Sequence, residues 1–257
     1  MMTMILHSIA SWKNIKKQEL AGRSIGFIPT MGNLHQGHLS LCQKSALEND
    51  ITVISIYVNP MQFNDTQDFS QYPRTLAQDM QQLEDAKVDY CLLLSDTEMY
   101  ADDFNYQVCE NQLSQTMEGV HRPGHFTGML TIVLKLLAGV APTNAYFGEK
   151  DYQRYLLISS MQKAFFLDCE VIACPTIRED SGLPFSSRNR RLSLEDRKLA
   201  DRFAQVFLQK DVSIEDINQQ IQALGIEIDY CQEYLGRRWV AVRIGPIRIL
   251  DNYASSL

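Results

Sequence analysis

Short apolar runs rich in β-branched residues alternate with helical patterns through the first part of this 257-residue chain. Such runs predict buried strands, and the intervening segments, whose apolar positions recur at helical spacing, predict crossover helices. The predicted strands cover residues 25–29, 52–58, 90–94, 145–147 and 169–174. One predicted helix begins at Leu39, and three others cover residues 75–86, 127–137 and 152–166. This alternation indicates an α/β fold with a parallel sheet, in which ligands bind beyond the carboxyl ends of the strands.

The pattern changes after Pro175, where an arginine-rich stretch precedes a helix that Ser193 opens. The Ser193 hydroxyl and the aspartate three residues later resemble a capping box. A second helix begins after Ser213 and ends at Gly225, a typical residue for the position that follows a helix. Alternating runs predict a small antiparallel sheet over residues 226–230, 239–244 and 247–250. We therefore expect this part of the chain to be α+β.

The chain length suits two domains, which we place at residues 1–177 and 178–257. The formal net charge of −7 and the pI near 5.3 argue against a broad surface for nucleic acid or anionic membrane. Small molecules are therefore the expected substrates, and we expect neither a nucleic-acid nor a membrane partner.

The cysteines and the apolar segments also bear on location. Six cysteines are scattered without any Cys-x-x-Cys pair, which indicates neither a zinc knuckle nor a disulfide scaffold. Residues 1–10 lack the charged and apolar regions of a signal peptide. The most apolar stretch, residues 127–140, contains Lys135 and is shorter than the about 20 residues of a membrane span. We expect a cytoplasmic protein.

Two histidines, His35 and His38, lie in the segment that joins the first predicted strand to its helix. A helix that begins near Gly37 or His38 presents unpaired backbone N–H groups and the positive end of its dipole, which favour a bound phosphate. Both imidazoles are then expected to face that phosphate and to stabilise charge during attack on an α-phosphorus. Two surface histidines, or two metal ligands, are the alternatives for a motif this short.

Two further segments carry cationic side chains. Lys150 lies at a strand-to-helix turn, where it can place a positive charge on phosphates, although a solvated surface lysine is the more frequent case. The polar stretch 186–191, which contains three arginines, precedes the first helix of the C-terminal part. It is either a solvated linker or a loop that closes over a triphosphate and stabilises the pyrophosphate leaving group.

Three polar residues are candidates for metal or substrate contacts. Asp79 and Gln82 lie three apart and so share one helical face, where their oxygens can hold Mg²⁺ or its waters. Ordinary surface polarity explains that spacing equally well. Gln62 follows a strand in an apolar setting, which suggests a hydrogen bond to a small polar ligand or a satisfied core amide.

Taken together, these motifs resemble those of the AMP-forming pantoate–β-alanine ligase family, within the nucleotidylyltransferase superfamily that has the His-x-Gly-His signature. The motifs that carry the resemblance are Pro-Thr-Met-Gly-Asn-Leu-His-Gln-Gly-His at 29–38, Val-Asn-Pro-Met-Gln-Phe at 58–63, Tyr-Pro-Arg-Thr at 72–75, Arg-Pro-Gly-His-Phe at 122–126, Phe-Gly-Glu-Lys-Asp at 147–151 and Ser-Ser-Arg-Asn at 186–189. The resemblance covers residues 25–192, with a looser similarity at 248–252.

The resemblance implies a Rossmann-like, doubly wound parallel sheet with a second, smaller C-terminal domain that closes over the active site. It also implies a homodimer and a two-step reaction with ATP and Mg²⁺. The carboxylate of (R)-pantoate attacks the α-phosphorus of ATP to give pantoyl adenylate and pyrophosphate. The amine of β-alanine then displaces AMP and forms pantothenate.

The resemblance also assigns site residues. The catalytic residues are His35, His38, Lys150 and Arg188, with His38 at the position of the proton donor. The residues implied to bind ATP are Pro29, Thr30, Met31, Gly32, Asn33, Leu34, His35, His38, Gly148, Glu149, Lys150, Asp151, Ile177, Phe185, Ser186, Ser187 and Arg188. Those implied to bind pantoate or β-alanine are Asn59, Gln62, Tyr72 and Arg154. Asp79 and Gln82 fall at the magnesium positions.

Two positions depart from the family pattern. Arg154 stands where the family usually has a second pantoate-binding glutamine, and Gln78 replaces the acidic residue often found before Asp79. Arg154 either pairs with the substrate carboxylate or reshapes the pocket for another acid. The alternative function is therefore a related nucleotidylyltransferase, or an adenylate-forming ligase, that acts on a different small carboxylic acid.

Two more distant alternatives also use a histidine pair. A class I aminoacyl-tRNA synthetase shares the signature but needs extra length and a basic surface for tRNA, which this chain lacks. A noncatalytic nucleotide- or metal-binding module predicts metal retention and no turnover.

Overall fold

The apolar runs of the first part of the chain form a parallel sheet. The computed structural model describes residues 2–255, and within them the strands of this sheet are β1 (Met4–Leu6), β2 (Ile25–Thr30), β3 (Ile51–Ile56), β4 (Tyr90–Leu93), β5 (Asn144–Gly148) and β6 (Glu170–Cys174). Their order is β1-β4-β3-β2-β5-β6, and all the pairings are parallel. The order reverses at β2, so the segment that follows β2 lies where such sheets bind ligands.

Helices cover both faces of this sheet. They are α1 (Ile9–Glu19), α2 (Gln36–Glu48), α3 (Thr66–Ser70), α4 (Leu76–Asp85), α5 (Asp96–Met99), α6 (Glu118–His121), α7 (His125–Val140) and α8 (Tyr152–Ala164). Neighbouring side chains along β2 point to opposite faces, since strand side chains alternate. Phe27 packs in a cluster with residues of α1, α7 and α8, whereas Ile28 packs with residues of α2 and α4. Burial on both faces explains why the strands read as continuous apolar runs.

A separate small antiparallel sheet forms from the C-terminal part of the described residues. Its strands are β7 (Glu227–Tyr234), β8 (Arg237–Ile244) and β9 (Ile247–Ala254), paired in that order. Helices α9 (Leu194–Phe207) and α10 (Ile214–Ala223) pack their apolar side chains against one face of this sheet. The predicted α/β fold with a smaller α+β part is therefore confirmed.

The predicted helix ends of the C-terminal part are also confirmed. The Ser193 hydroxyl accepts the N–H of Asp196 at 3.1 Å and donates to its carboxylate at 2.8 Å. Such a cap satisfies one of the backbone donors that a helix start leaves unpaired. Gly225, directly after the second helix, has φ +75°, a conformation that glycine adopts without a steric penalty.

The described residues divide into two compact units. The first unit contains residues 2–148 and 153–174, and the second contains residues 149–152 and 175–255. The short segment 149–152, which includes Lys150, therefore groups with the C-terminal residues although it follows β5 directly.

The first strand and the first helix were not predicted. β1 is an apolar stretch of only three residues, which is too short to indicate a strand, and its Met4 and Ile5 side chains are exposed. Helix α1 buries Trp12 but is otherwise largely polar, which hides its periodicity.

The structure also bears on the apolar helices and on the cysteines. Over residues 2–255, no helix combines the length and apolar character that crossing a membrane requires. All six cysteines are free thiols, and burial raises the pKa of Cys42 and of Cys91 to about 12. These two thiols therefore stay protonated near neutral pH and act as core residues.

Candidate active site

The segment after β2 turns sharply at a glycine. Gly32 has φ +77°, and a Cβ at this position would lie 3.1 Å from both a carboxylate oxygen of Asp79 and the Cγ2 of Ile56. Asn33 continues the turn with φ +48° and is 1% exposed. The turn thus requires a residue without a side chain at Gly32, and it directs the next residues toward the start of α2.

A buried carboxylate fixes the backbone of this turn. Asp79, on α4, accepts the N–H of Asn33 and the N–H of Leu34, each at 2.9 Å, and the hydroxyl of Thr75 at 3.0 Å. Its side chain is 1% exposed. Hydrogen bonds to a buried charge are stronger than those between neutral groups. Asp79 therefore determines where the chain enters the histidine signature.

The two signature histidines lie side by side at the start of α2. His35 is the N-cap residue, and its Nδ1 accepts the N–H of Gly37 at 3.1 Å. Because Nδ1 is an acceptor, the neutral ring carries its proton on Nε2. The rings of His35 and His38 stack with centroids 4.0 Å apart. The structure thus brings both imidazoles together, as predicted from the sequence, and makes Nε2 the donor nitrogen of the neutral His35 ring.

One expectation about the helix start was wrong. The helix begins at Gln36, and the N–H groups of Gly37 and His38 are paired with the side chain and the carbonyl of His35. The local cap therefore pairs two of the backbone N–H groups at this helix start, which were expected to be unpaired. The positive end of the helix dipole remains at this position, so it still favours a bound anion.

Asp79 and Gln82, the predicted magnesium residues, differ in how their side-chain oxygens are bonded. Asp79 Oδ1 accepts two hydrogen bonds and Oδ2 accepts one, which leaves Oδ2 a further lone pair. Gln82 Oε1 is buried and makes no hydrogen bond within residues 2–255. Over the same residues, no group of three or more His, Cys, Asp or Glu side chains could hold a metal. The two oxygens fit an ion that takes its other ligands from water and phosphate.

A second group of polar side chains follows β3. Asn59 is 1% exposed, donates to the carbonyl of Gly128 at 3.0 Å and accepts the hydroxyl of Tyr100 at 2.8 Å. Burial raises the pKa of Tyr100, so its hydroxyl stays a donor. The side-chain NH₂ group of Gln62 donates to the sulfur of Met31, and its Oε1 accepts from the side chain of Asn59. The predicted substrate residues Asn59 and Gln62 are therefore adjacent, and they contact the histidine loop through Met31.

The backbone of Gln62 is held from α7. His125 Nδ1 donates to the Gln62 carbonyl at 2.7 Å, and Arg122 donates to the same carbonyl at 3.2 Å and to His125 Nε2 at 3.2 Å. Since arginine only donates, Nε2 is an acceptor and the His125 ring is neutral. No role at the site was predicted for Arg122, His125 or Tyr100. Their Arg-Pro-Gly-His-Phe motif was a signal that could have identified the first two.

Gly128 allows α7 to approach this loop closely. A Cβ at Gly128 would lie 2.3 Å from the carbonyl oxygen of Met61 and 2.8 Å from the backbone nitrogen of Gln62. We predict that Gly128→Ala lowers the free energy of unfolding by about 1–3 kcal/mol through overpacking, and raises the KM for the carboxylic acid substrate by displacing Gln62.

Gly139→Ala is the matched control for this prediction. It lies on the same helix, but the new Cβ would meet the flexible side chain of Ile9 at 3.1 Å instead of backbone. Urea unfolding and steady-state kinetics measure both variants. Equal effects of the two substitutions on KM would contradict a specific role of the close approach at Gly128.

Two other predicted substrate residues occupy distinct surroundings in the first unit. The ring of Tyr72 is buried and packs edge-on against Phe63, with centroids 5.6 Å apart, next to Gln62. Arg154 lies in the first turns of α8 and is half-buried. Its neighbour Gln153 donates to the carbonyls of Leu113 and Thr116 at 2.8 and 2.9 Å.

The remaining predicted ATP residues belong to the second unit, apart from Gly148, which ends β5. Glu149, Lys150 and Asp151 form a short 3-10 turn, in which Lys150 Nζ lies 3.7 Å from the Asp151 carboxylate. Phe185 donates its N–H to the carbonyl of Ile177 at 3.1 Å. The stretch Ser187–Arg191 is a second 3-10 turn, and the Ser186 hydroxyl caps it by accepting the N–H of Arg188 at 3.3 Å.

The comparisons with known proteins agree on one family. The family described as pantoate-beta-alanine ligase matches residues 4–254 of this chain. The chain is 51% identical over 249 residues to the pantothenate synthetase of Legionella pneumophila (strain Lens), which covers 97% of this chain and 98% of that protein. It is 47% identical over 251 residues to the pantothenate synthetase of Coxiella burnetii (strain RSA 493 / Nine Mile phase I), with coverages of 98% and 96%.

A solved structure is similar over the same length. The crystal structure of pantoate-beta-alanine ligase from Francisella tularensis, complexed with beta-gamma ATP and beta-alanine, superposes with a TM-score of 0.94. The two chains are 39% identical, and the match covers 98% of each.

Proposed function

The chain belongs to the pantoate–β-alanine ligase family, and we propose that its histidine signature and the adjacent Asn59–Gln62 loop carry out the first step of that family's reaction. The reaction is the ATP-dependent condensation of (R)-pantoate with β-alanine to pantothenate, through a pantoyl adenylate, with release of AMP and pyrophosphate. The observation that supports this assignment most strongly is the stacked His35–His38 pair on a turn held by Asp79.

In the first step, a pantoate carboxylate oxygen forms a bond to the α-phosphorus of ATP while the bond to pyrophosphate breaks. Negative charge accumulates on the phosphoryl oxygens and on the leaving group. His35 donates its Nε2–H to these oxygens, and His38, at the family's proton-donor position, does the same. Such preorganised donors stabilise a transition state more than they stabilise the bound substrate. The protein supplies little covalent chemistry and acts by positioning and charge stabilisation.

Two cationic residues are also proposed to bind ATP. Lys150 and Arg188 neutralise the triphosphate and the departing pyrophosphate, because ammonium and guanidinium groups pair strongly with phosphate oxygens. Their support is the family motifs that contain them. The other proposed ATP contacts come from Pro29, Thr30, Met31, Gly32, Asn33, Leu34, Gly148, Glu149, Asp151, Ile177, Phe185, Ser186 and Ser187. The C-terminal domain, residues 178–257, is proposed to close over the site.

Asp79 Oδ2 and Gln82 Oε1 are the proposed protein contacts of Mg²⁺. When bound, the ion neutralises phosphate charge and helps to orient the triphosphate. Asp79 and Gln82 lie on the same face of α4, and Asp79 also binds the signature loop. This shared face supports the assignment.

Gln62, Asn59, Tyr72 and Arg154 are the proposed pantoate and β-alanine contacts. In the second step, the β-alanine amine attacks the adenylate carbonyl, the bond to AMP breaks, and the amine loses a proton. Arg154, where the family usually has glutamine, is proposed to pair with the pantoate carboxylate before attack. We further propose, from the family resemblance alone, a cytoplasmic homodimer.

The test is an exchange assay with the purified chain, ATP, Mg²⁺ and pantoate, in which labelled pyrophosphate is followed into ATP. We expect exchange that requires pantoate but not β-alanine, because the adenylate forms before the amine enters. Adding β-alanine should then release AMP and pantothenate in equal amounts. Exchange that required β-alanine, or the release of ADP, would contradict the proposed order of steps.

A further inference from the structure

The last strand of the C-terminal sheet binds the segment that contains Lys150. Asn252, on β9, is 2% exposed and donates through Nδ2 to the carbonyls of Glu149 at 2.9 Å and Lys150 at 2.8 Å. A side-chain amide has two N–H donors, so both are used on this one segment. One bond is to the carbonyl of Lys150 itself, and the other is to the carbonyl of the peptide bond that precedes Lys150.

The amide of Asn252 is fixed in this orientation by Arg237. Arg237 Nε donates to Asn252 Oδ1 at 2.8 Å, and its terminal nitrogen donates to the Glu149 carboxylate at 3.2 Å. Since arginine has donors only, it must face the oxygen of the amide, which directs the NH₂ group toward the two carbonyls. The Arg237 guanidinium also lies 3.9 Å from the centre of the Tyr152 ring. Arg237 therefore contacts the segment at both ends.

The backbone of Asn252 is anchored by a buried ion pair. Arg178 donates to both oxygens of Asp251, at 2.6 and 2.9 Å, and to the carbonyl of Asn252 at 3.3 Å. Asp251 Oδ1 also accepts the N–H of Asn252 at 2.7 Å. Bidentate pairs of this kind restrict geometry as well as adding energy. The residue that binds the Lys150 segment is thus held at its backbone and at its side chain.

The antiparallel sheet of the second unit contacts residues 149–152 through the face opposite to its apolar core. Alternate residues of β8 and β9, including Val240 and Ile249, pack in the apolar cluster with α9 and α10. Trp239, opposite Asn252 in the strand register, lies with its ring 5.8 Å from that of Tyr152. Side chains that alternate with the core positions therefore form the surface that contacts residues 149–152.

We propose that Asn252 is a positioning residue for Lys150, with Arg237 orienting its amide. This inference rests on the proposed role of Lys150 at the triphosphate. Lysine has a flexible stem, so its ammonium is placed accurately only when its backbone is fixed. Misplacing a catalytic group by about 1 Å can lower a rate about 10²-fold.

Asn252→Asp tests this proposal. The substitution keeps an oxygen for Arg237 but replaces the NH₂ donor with an oxygen that faces two carbonyls. We expect the rate of AMP formation at saturating substrates to fall about 10- to 100-fold. The AMP formed over several hours is quantified by chromatography, so that the rates of slow variants can still be measured.

The matched control is Asn218→Asp. Asn218, in the same unit, also donates through Nδ2 to two carbonyls, those of Ile214 at 3.0 Å and Cys231 at 3.1 Å. A structural effect on the C-terminal unit lowers the thermal midpoint in both variants. The proposal requires that the rate loss be confined to Asn252→Asp, and equal rate losses in both variants would overturn it.

A double-mutant cycle with Lys150→Ala distinguishes positioning from a general structural effect. If Asn252 acts through Lys150, Asn252→Asp changes the rate of the Lys150→Ala variant less than about twofold, because coupled residues are not additive. A full additional loss would overturn the proposal. Should Lys150→Ala itself leave the rate unchanged, the proposed role of Lys150 fails. Should it lower the rate while Asn252→Asp does not, only the inference about Asn252 fails.

Arg237→Gln provides a second variant in case Asn252→Asp does not fold. It replaces the guanidinium that orients the Asn252 amide with a shorter amide and leaves Asn252 in place. We expect a smaller rate loss, about three- to tenfold, that again disappears in the Lys150→Ala background. A folded Arg237→Gln variant with the unchanged rate would overturn the orienting role.

Discussion

Replacing His38 with alanine is expected to lower the rate of AMP formation by about 10²- to 10³-fold while the fold stays intact. The magnitude is that of removing one donor to an oxyanion in a preorganised site. The fold is expected to persist because His38 takes part in the start of α2 through its backbone N–H, which alanine keeps. Steady-state kinetics gives the rate, and circular dichroism with thermal unfolding gives the state of the fold.

Two further histidine variants serve as controls for His38→Ala. His7 is exposed on the segment between β1 and α1, so His7→Ala should leave the rate unchanged. His35→Ala should lower the rate and also cost about 1 kcal/mol of stability, because His35 caps α2. A His38→Ala variant with the full rate would contradict a transition-state role of the signature. A variant that had lost its secondary structure would contradict the separation of fold from chemistry.

Replacing Asp79 with asparagine is expected to lower the free energy of unfolding by about 2–4 kcal/mol and to lower the rate with it. An amide cannot accept at both of its heavy atoms, so the N–H of Asn33 or that of Leu34 loses its acceptor. Hydrogen bonds to a charged group contribute about 1.5–3 kcal/mol each, and a buried donor left unpaired adds a desolvation cost. Urea unfolding in buffer without Mg²⁺ measures this loss.

Asp85→Asn is the matched control for Asp79→Asn. Asp85 lies on the same helix but is exposed, and its carboxylate accepts from Gln81 at 3.1 Å. Its substitution should change stability by less than about 0.5 kcal/mol. If Asp79 served only as a magnesium ligand, Asp79→Asn would be as stable as the unmodified chain without Mg²⁺. That result would contradict its role in holding the signature loop.

The sheet and the histidine pair could be predicted because their signals are local. Buried parallel strands read as apolar runs, and a strand, a turn and a helix start are contiguous around His35 and His38. The cap at Ser193 depends on a residue three positions away, and it is present as expected. β1, with three residues on a partly exposed edge, gives no comparable signal.

The contacts that position the site could not be predicted because they join distant parts of the chain. Asp79 lies 46 residues from Asn33, and Asn252 lies 102 residues from Lys150. Periodicity places each of these residues on a helix or a strand but does not pair them. The spacing of Asp79 and Gln82 suggested a metal site, whereas the tertiary contacts gave Asp79 an additional role on the loop.

The use of the helix-start N–H groups could not be predicted for a different reason. Sequence spacing identifies where a helix begins, but His35 is an uncommon N-cap residue whose ring nitrogen accepts from Gly37. The cap through Nδ1, which leaves the proton of the neutral ring on Nε2, follows from the hydrogen bonds of the folded chain alone.

We propose that pantoate attacks the α-phosphorus at the histidine signature. Following a carboxylate oxygen of pantoate into the products tests this most directly. Pantoate labelled with ¹⁸O in its carboxylate is incubated with the chain, ATP, Mg²⁺ and β-alanine. Mass spectrometry then gives the number of ¹⁸O atoms in each product. We expect one ¹⁸O atom in AMP and none in pyrophosphate, because the oxygen that bonds to the α-phosphorus leaves with AMP. Unlabelled AMP, or label in inorganic phosphate together with ADP, would contradict it.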